Sequence, residues 1–133
     1  MHAPNEPGNT APRVLVVDDE AAICLLLEES LTEAGFQCNT ASSGQEALEI
    51  LQQQEFDVLI SDLRMPGMSG LALLEAAQAK YPGMILILAT GGGDIQAGIE
   101  AKKQYVHDFL VKPFRLEAVV TTLKRALGNE PPK

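Results

Sequence analysis

The sequence predicts an α/β protein, a single domain built on a doubly wound, five-stranded parallel sheet in (βα)5 order. Three observations predict it. Five short runs are apolar without alternation, as strands buried on both faces are. Each run is followed by a stretch whose apolar residues recur at helical spacing. Capping and turn residues fall between them, and right-handed crossovers then place helices on both faces of the sheet.

The elements follow in order. Arg13–Val17 (RVLVV) reads as the first strand. Glu20–Ala34 reads as a helix with Ile23, Leu26, Leu27, Ser30, Leu31 and Ala34 on its core stripe, and Gly35 is placed to end it. Gln37–Ala41 is the second strand. Ser43-Gly-Gln-Glu46 has the form of a capping box and opens a helix to about Gln53. Phe56–Ser61 is the third strand. Ser69 caps a helix running to Lys80, broken by Pro82-Gly83. Met84–Ala89 (MILILA) is the fourth strand. Asp94–Lys103 is a weaker helix, with Gly98 inside it and Ile95 and Ile99 as its apolar anchors. Asp108–Val111 is the fifth strand. The last helix starts at Pro113 or Phe114 and shows Leu116, Val119, Val120, Leu123 and Leu127 on one face. Residues 1–12 read as a flexible tail, 13–127 as the domain, and 128–133 as a second tail or the start of a linker.

Composition narrows the class. The 133 residues are 46% hydrophobic and 21% charged, enough apolar material for a core. The formal charge is −8, which argues against a general binder of phosphate backbones. Cys24 and Cys38 have no metal-ligand spacing, and with only His2 and His107 they make no convincing zinc site. They read as reduced, largely buried thiols of a cytosolic protein. The Pro/Asn/Gly-rich start has no apolar stretch of a signal peptide, and no run is long enough to span a membrane.

Sites in open parallel sheets form beyond the carboxyl ends of the strands. The first strand ends in Asp18-Asp19, the third in Asp62, the fourth in Thr90 and the fifth in Lys112-Pro113. Taken singly, each also reads as a helix cap, a turn residue or a solvated charge. Together they bring three carboxylates, a hydroxyl and an ammonium to one rim. Neighbouring carboxylates raise one another's pKa unless a cation neutralises them, and all-oxygen ligation suits a hard ion such as Mg²⁺. A carboxylate beside Mg²⁺ points to phosphoryl transfer, with Lys112 and Thr90 available to the phosphoryl oxygens.

With VLVVDDE (14–20), SDLRMPGMSG (61–70), LATGGG (88–93) and DFLVKPF (108–114) in this order, the sequence resembles a response-regulator receiver domain of two-component signalling, a CheY-like, flavodoxin-like fold. The resemblance covers about residues 13–127. It implies Asp62 as phosphoacceptor and a phosphoprotein carrying an aspartyl phosphate. It implies Asp18, Asp19, Asp62 and the backbone carbonyl of Arg64 around Mg²⁺. Thr90 matches the switch hydroxyl, Phe109 the switch aromatic and Lys112 the phosphate-binding lysine, and the Lys112–Pro113 bond is expected to be cis. The implied donor is a sensor histidine kinase or phosphotransfer protein in a phosphorelay. The implied output face is the fourth helix, fifth strand and fifth helix, which meets an output domain or effector. A homodimer is also open to it. Neither direct nucleic-acid contact nor a membrane is implied, and the location is cytoplasmic. Such a domain runs its own phosphorylation and dephosphorylation chemistry and is not a turnover enzyme.

Two alternatives stand beside this reading. One is a phosphohydrolase of haloacid-dehalogenase type, whose nucleophile ends the first strand in a DxD-type motif; here that strand ends in DDE and the chain has no cap insertion. The other is an unphosphorylated scaffold of receiver-like fold. Tyr105-Val106 stands where the family often has Gly-Ala, so Tyr105 is either a strained helix end or ends the helix another way. Arg64, a long cation two residues after Asp62, reads either as a solvated loop arginine or as one that reaches the phosphate and tunes its lifetime. Charge is also divided: residues 1–100 carry 3 basic and 15 acidic side chains, and residues 101–133 carry 7 and 3. The basic part includes Lys102, Lys103, Arg115, Lys124 and Arg125.

Overall fold

Alternate residues of each central strand serve opposite sides of one parallel sheet in the computed structural model, which describes residues 11–128. The elements are β1 (Arg13–Val17), α1 (Ala21–Glu33), β2 (Gln37–Ala41), α2 (Gly44–Gln53), β3 (Val58–Asp62), α3 (Gly70–Lys80), β4 (Ile85–Thr90), α4 (Ile95–Gln104), β5 (Asp108–Val111) and α5 (Leu116–Ala126). The order across the sheet is β2-β1-β3-β4-β5, all parallel. The expected tails fall outside the described residues at 1–10 and 129–133. Pro12 already joins the sheet, its carbonyl accepting the Gln37 N–H at 2.8 Å.

Val14, Val16, Val58, Ile60 and Ile87 pack with Leu27, Leu31, Val119 and Leu123 on the α1/α5 side. Leu15, Val17, Leu59, Leu86 and Leu88 pack with Leu51, Leu73, Leu74 and Ala101 on the α2/α3/α4 side. Each such buried aliphatic side chain is worth about 1.5–3 kcal/mol against exposure. This two-sided burial is why the strands read as unbroken apolar runs.

The capping residues act as expected, with one variation. Ser43 accepts the Glu46 N–H at 3.1 Å, but the Glu46 carboxylate reaches back to Ser42, accepting its N–H at 2.7 Å and its hydroxyl at 2.9 Å. Those bonds hold the Glu46 carboxyl below its ordinary range. Ser69 caps α3 through the Ala72 N–H at 3.1 Å. Gly35, at φ 101°, follows α1 in the left-handed conformation that glycine tolerates.

Several expectations need correction. On α1 the buried residues are Cys24, Leu27 and Leu31, while Leu26 is 48% exposed. The stripe centres on Leu27, and Leu26 is turned about 100° from it. On α4, Ile95 and Ile99 are not core anchors; both are exposed, and Gly98 and Ala101 face the sheet. The Phe109 ring fills the space at Gly98, so α4 approaches through its small residues and its isoleucines turn outward. A 3-10 turn at Gly92–Asp94 precedes α4. Strands β3 and β4 are displaced toward the carboxyl edge and include Asp62 and Thr90. Helix α5 begins only at Leu116, because Arg115 is still extended. Tyr105 ends α4 at φ −151°, outside the left-handed region, so no strain arises there. It is half-buried, with its hydroxyl 3.5 Å from the Leu71 carbonyl.

Cys24 and Cys38 are free thiols, the first buried and the second half-buried. Burial, with Glu28 adding to it, pushes the Cys38 thiol up to about 12, which keeps it unreactive.

Candidate functional site

Register assembles the site. Val17 pairs with Ser61, so Asp18 and Asp62 come side by side at the next step. Asp62 pairs with Ala89, one residue before Thr90. Thr90 pairs with Val111, one residue before Lys112. A one-residue slip in any pair would send these side chains to the other face.

Carboxylate oxygens of Asp18, Asp19 and Asp62 lie within 4.8 Å of one another. Asp18 is buried at 3% exposure, Asp62 is at 9%, and Asp19 is open to solvent. Asp18 is fixed through its Oδ1, which accepts the Glu20 N–H at 2.9 Å. Lys112 Nζ stands 2.9 Å from Asp18 Oδ2 and 3.3 Å from Asp62 Oδ2. Burial raises the Asp62 carboxyl above its ordinary range and the Asp18 charge adds to this, while Lys112 partly offsets both. Burial alone would lower the Lys112 ammonium, but its contacts with Asp18 and Asp62 outweigh that and raise it.

Thr90 is fully buried, and its Oγ1 has no hydrogen-bond partner among the described residues. Such a hydroxyl costs about 1–3 kcal/mol unless some group completes it. The Lys112–Pro113 peptide bond is cis, and the Lys112 N–H donates to the Thr90 carbonyl at 2.6 Å. Phe109 is half-buried and rests on α4 at Gly98. Arg64 does not point into the acidic pocket. Its side chain is 78% exposed and paired to Asp94.

The donor set suits a hard divalent ion. Three carboxylates converge with no nitrogen or sulfur ligand among them, and repulsion within the set favours a cation.

Sequence reasoning gave no role to Glu20, Gly70 or Asp94. Glu20 Oε1 lies 3.9 Å from Lys112 Nζ. A Cβ on Gly70 would sit 2.0 Å from the Asp62 carbonyl oxygen, so α3 starts against the backbone of the site. The signal for Gly70 was its place at the end of SDLRMPGMSG. Asp94 carried no signal, because its partner lies thirty residues away.

Sheet order and pocket define a class: a doubly wound α/β domain with an acidic, lysine-bridged pocket at its switch point. The chain belongs to the response regulator receiver domain family, whose model matches residues 14–124. It is 41% identical over 114 residues to the DNA-binding transcriptional regulator NtrC of Klebsiella pneumoniae, covering 86% of this chain and 24% of that protein. It is 37% identical over 118 residues to the C4-dicarboxylate transport transcriptional regulatory protein DctD of Rhizobium meliloti, covering 89% and 26%. The chain thus spans about a quarter of these curated relatives. A receiver domain structure from Clostridium thermocellum matches with TM-score 0.84 at 32% identity, covering 89% of this chain and 95% of that one. Among the described residues no helix is long and apolar enough to cross a membrane.

Proposed function

We propose that the chain is a phosphorylation-controlled switch whose acceptor is Asp62. The observation that carries this reading is the convergence of Asp18, Asp19, Asp62 and Lys112 beside a buried Thr90 hydroxyl that lacks a partner.

An Asp62 Oδ attacks phosphorus of a phosphohistidine on a sensor kinase or phosphotransfer protein. The P–N bond breaks, the P–O bond forms, and the imidazole leaves. Asp18, Asp19, Asp62 and the Arg64 carbonyl would hold Mg²⁺. That ion, when bound, offsets charge on the phosphoryl oxygens. Lys112 follows the new charge at Asp62, and the Thr90 hydroxyl donates to a phosphoryl oxygen, satisfying its orphaned group. Water later returns the phosphoryl group as inorganic phosphate.

The Thr90 shift moves the turn leading to α4, and Phe109 follows into the space vacated. Output is then read at α4, β5 and α5 by an output domain or effector, or by a second copy, in the cytoplasm. This is a population shift, since the phosphoryl contacts exist in one state only. Turnover of external substrates is not part of this function.

Intact mass after acetyl phosphate and Mg²⁺ tests it. One added phosphoryl group, absent in Asp62→Asn, is expected. Catalytic hydrolysis of a generic phosphomonoester would instead favour a phosphohydrolase, and no labelling a scaffold.

A further inference from the structure

We infer that Asp94 is a positioning residue for the phosphoryl chemistry: it holds the Arg64 guanidinium aside until a phosphoryl group on Asp62 competes for it. The inference rests on the reading of Asp62 as acceptor.

Arg64 is two residues beyond Asp62, and with a side chain 78% exposed it has little packing to fix its direction. A directed contact does so instead. Nε donates to Asp94 Oδ2 at 2.9 Å and Nη2 to Asp94 Oδ1 at 2.6 Å. This fork-to-fork geometry is the specific form of the pair. Hydrogen bonding lowers the Asp94 carboxyl and raises the Arg64 guanidinium.

Asp94 has a second use available that it does not take. It stands at the N-cap of α4, yet its side chain makes no capping bond. Its carboxylate is given to Arg64 instead. The pair also closes one rim of a groove of about 590 Å³ between the acceptor loop and α4, lined by Leu63, Met65 and Ala97 among others. It therefore ties the loop after Asp62 to the segment after Thr90. That segment begins with Gly91-Gly92-Gly93, of which Gly92 and Gly93 are exposed, so little side-chain packing holds the turn before α4.

An exposed ion pair is screened and exchanges easily. Phosphorylation replaces a single negative charge on Asp62 with about two, as a phosphoryl monoester carries near neutrality. The guanidinium then has a stronger anion two residues away. Over the phosphoryl group it covers the approach of water, whose oxygen would attack phosphorus and break the P–O bond to Asp62. Asp94 is released at the same moment, and with it the first turn of α4.

The test is a double-mutant cycle on phosphoryl loss. The chain is labelled with acetyl phosphate and Mg²⁺, the donor is removed, and loss is followed by intact mass, with a melting curve for each variant. Asp94→Asn frees Arg64 and is expected to slow loss by about threefold, the scale of redirecting one exposed ion pair. In an Arg64→Ala background the same change is expected to do nothing, and Asp94→Glu is expected to restore the original rate. A wild-type rate in Asp94→Asn, or equal slowing without Arg64, overturns the inference while leaving Asp62 as acceptor. A wild-type chain that takes no label overturns both.

Discussion

The ring of Phe109 takes the space a side chain would need at Gly98: a Cβ there would stand 2.7 Å from the ring Cδ2. Helix α4 and strand β5 are thus keyed to each other through one missing methyl group. Gly98→Ala is expected to destabilise the fold by about 1–3 kcal/mol through overpacking, less roughly 1 kcal/mol regained from helix propensity. Adding Phe109→Ala should remove the clash, so the two changes should be strongly non-additive in urea denaturation.

Gly70 allows less. With the Asp62 carbonyl 2.0 Å from the position of a Cβ, backbone must move. Gly70→Ala is expected to cost about 3 kcal/mol or more, at or beyond the upper end of overpacking effects. Labelling by acetyl phosphate should fall in molecules that remain folded, since α3 would displace the backbone of Asp62, the proposed acceptor.

Acidity at Asp62 gives a pH test. Burial first, then the Asp18 charge, raises its carboxyl in the folded chain. A raised acid favours folding in its protonated form, so this contribution is present below the ordinary carboxylate pKa and is lost as pH rises through the raised value. Asp62→Asn is therefore expected to raise the melting temperature at pH 7 without Mg²⁺. The gain should shrink as the pH is lowered toward 4, measured as the difference between the two melting curves.

A divalent cation should act on the same charge. Mg²⁺ is expected to stabilise the folded chain by mass action, reaching about 2.7 kcal/mol at a hundredfold excess over its dissociation constant. Asp19→Asn should weaken that gain in a Mg²⁺ titration of the melting temperature. A magnesium-independent melting curve for the unaltered chain would count against the cation site.

The outward turn of Ile99 allows a further comparison. Leu59 is fully buried, and Leu59→Ala should cost about 2–5 kcal/mol. Ile99 on α4 is exposed, and Ile99→Ala should stay within about 0.5 kcal/mol in the same urea titration. Any loss of effector binding in Ile99→Ala would then report the surface and not the core.

Much of this was legible in the sequence for a physical reason. Strands buried on both faces must be apolar throughout, so RVLVV and MILILA declare themselves and their ends locate Asp18, Asp19 and Thr90. Ser43 and Ser69 declare helix starts because an orphaned N–H needs an acceptor. Helix α4 misled because periodicity assigns the largest apolar residues to the core. There the approach was set by Phe109, which no local pattern relates to Gly98.

The sequence by itself determined the alternation of elements, the carboxyl edge as the place of chemistry, and the residue types gathered there. These follow from local periodicity and backbone hydrogen bonding, which act within a few residues. Only the tertiary structure decided that Lys112 bridges Asp18 and Asp62, that Thr90 is left without a partner, and that Arg64 turns to Asp94. Those relations join residues 30 to 94 positions apart, and they exist only once sheet register and helix packing have fixed the distances.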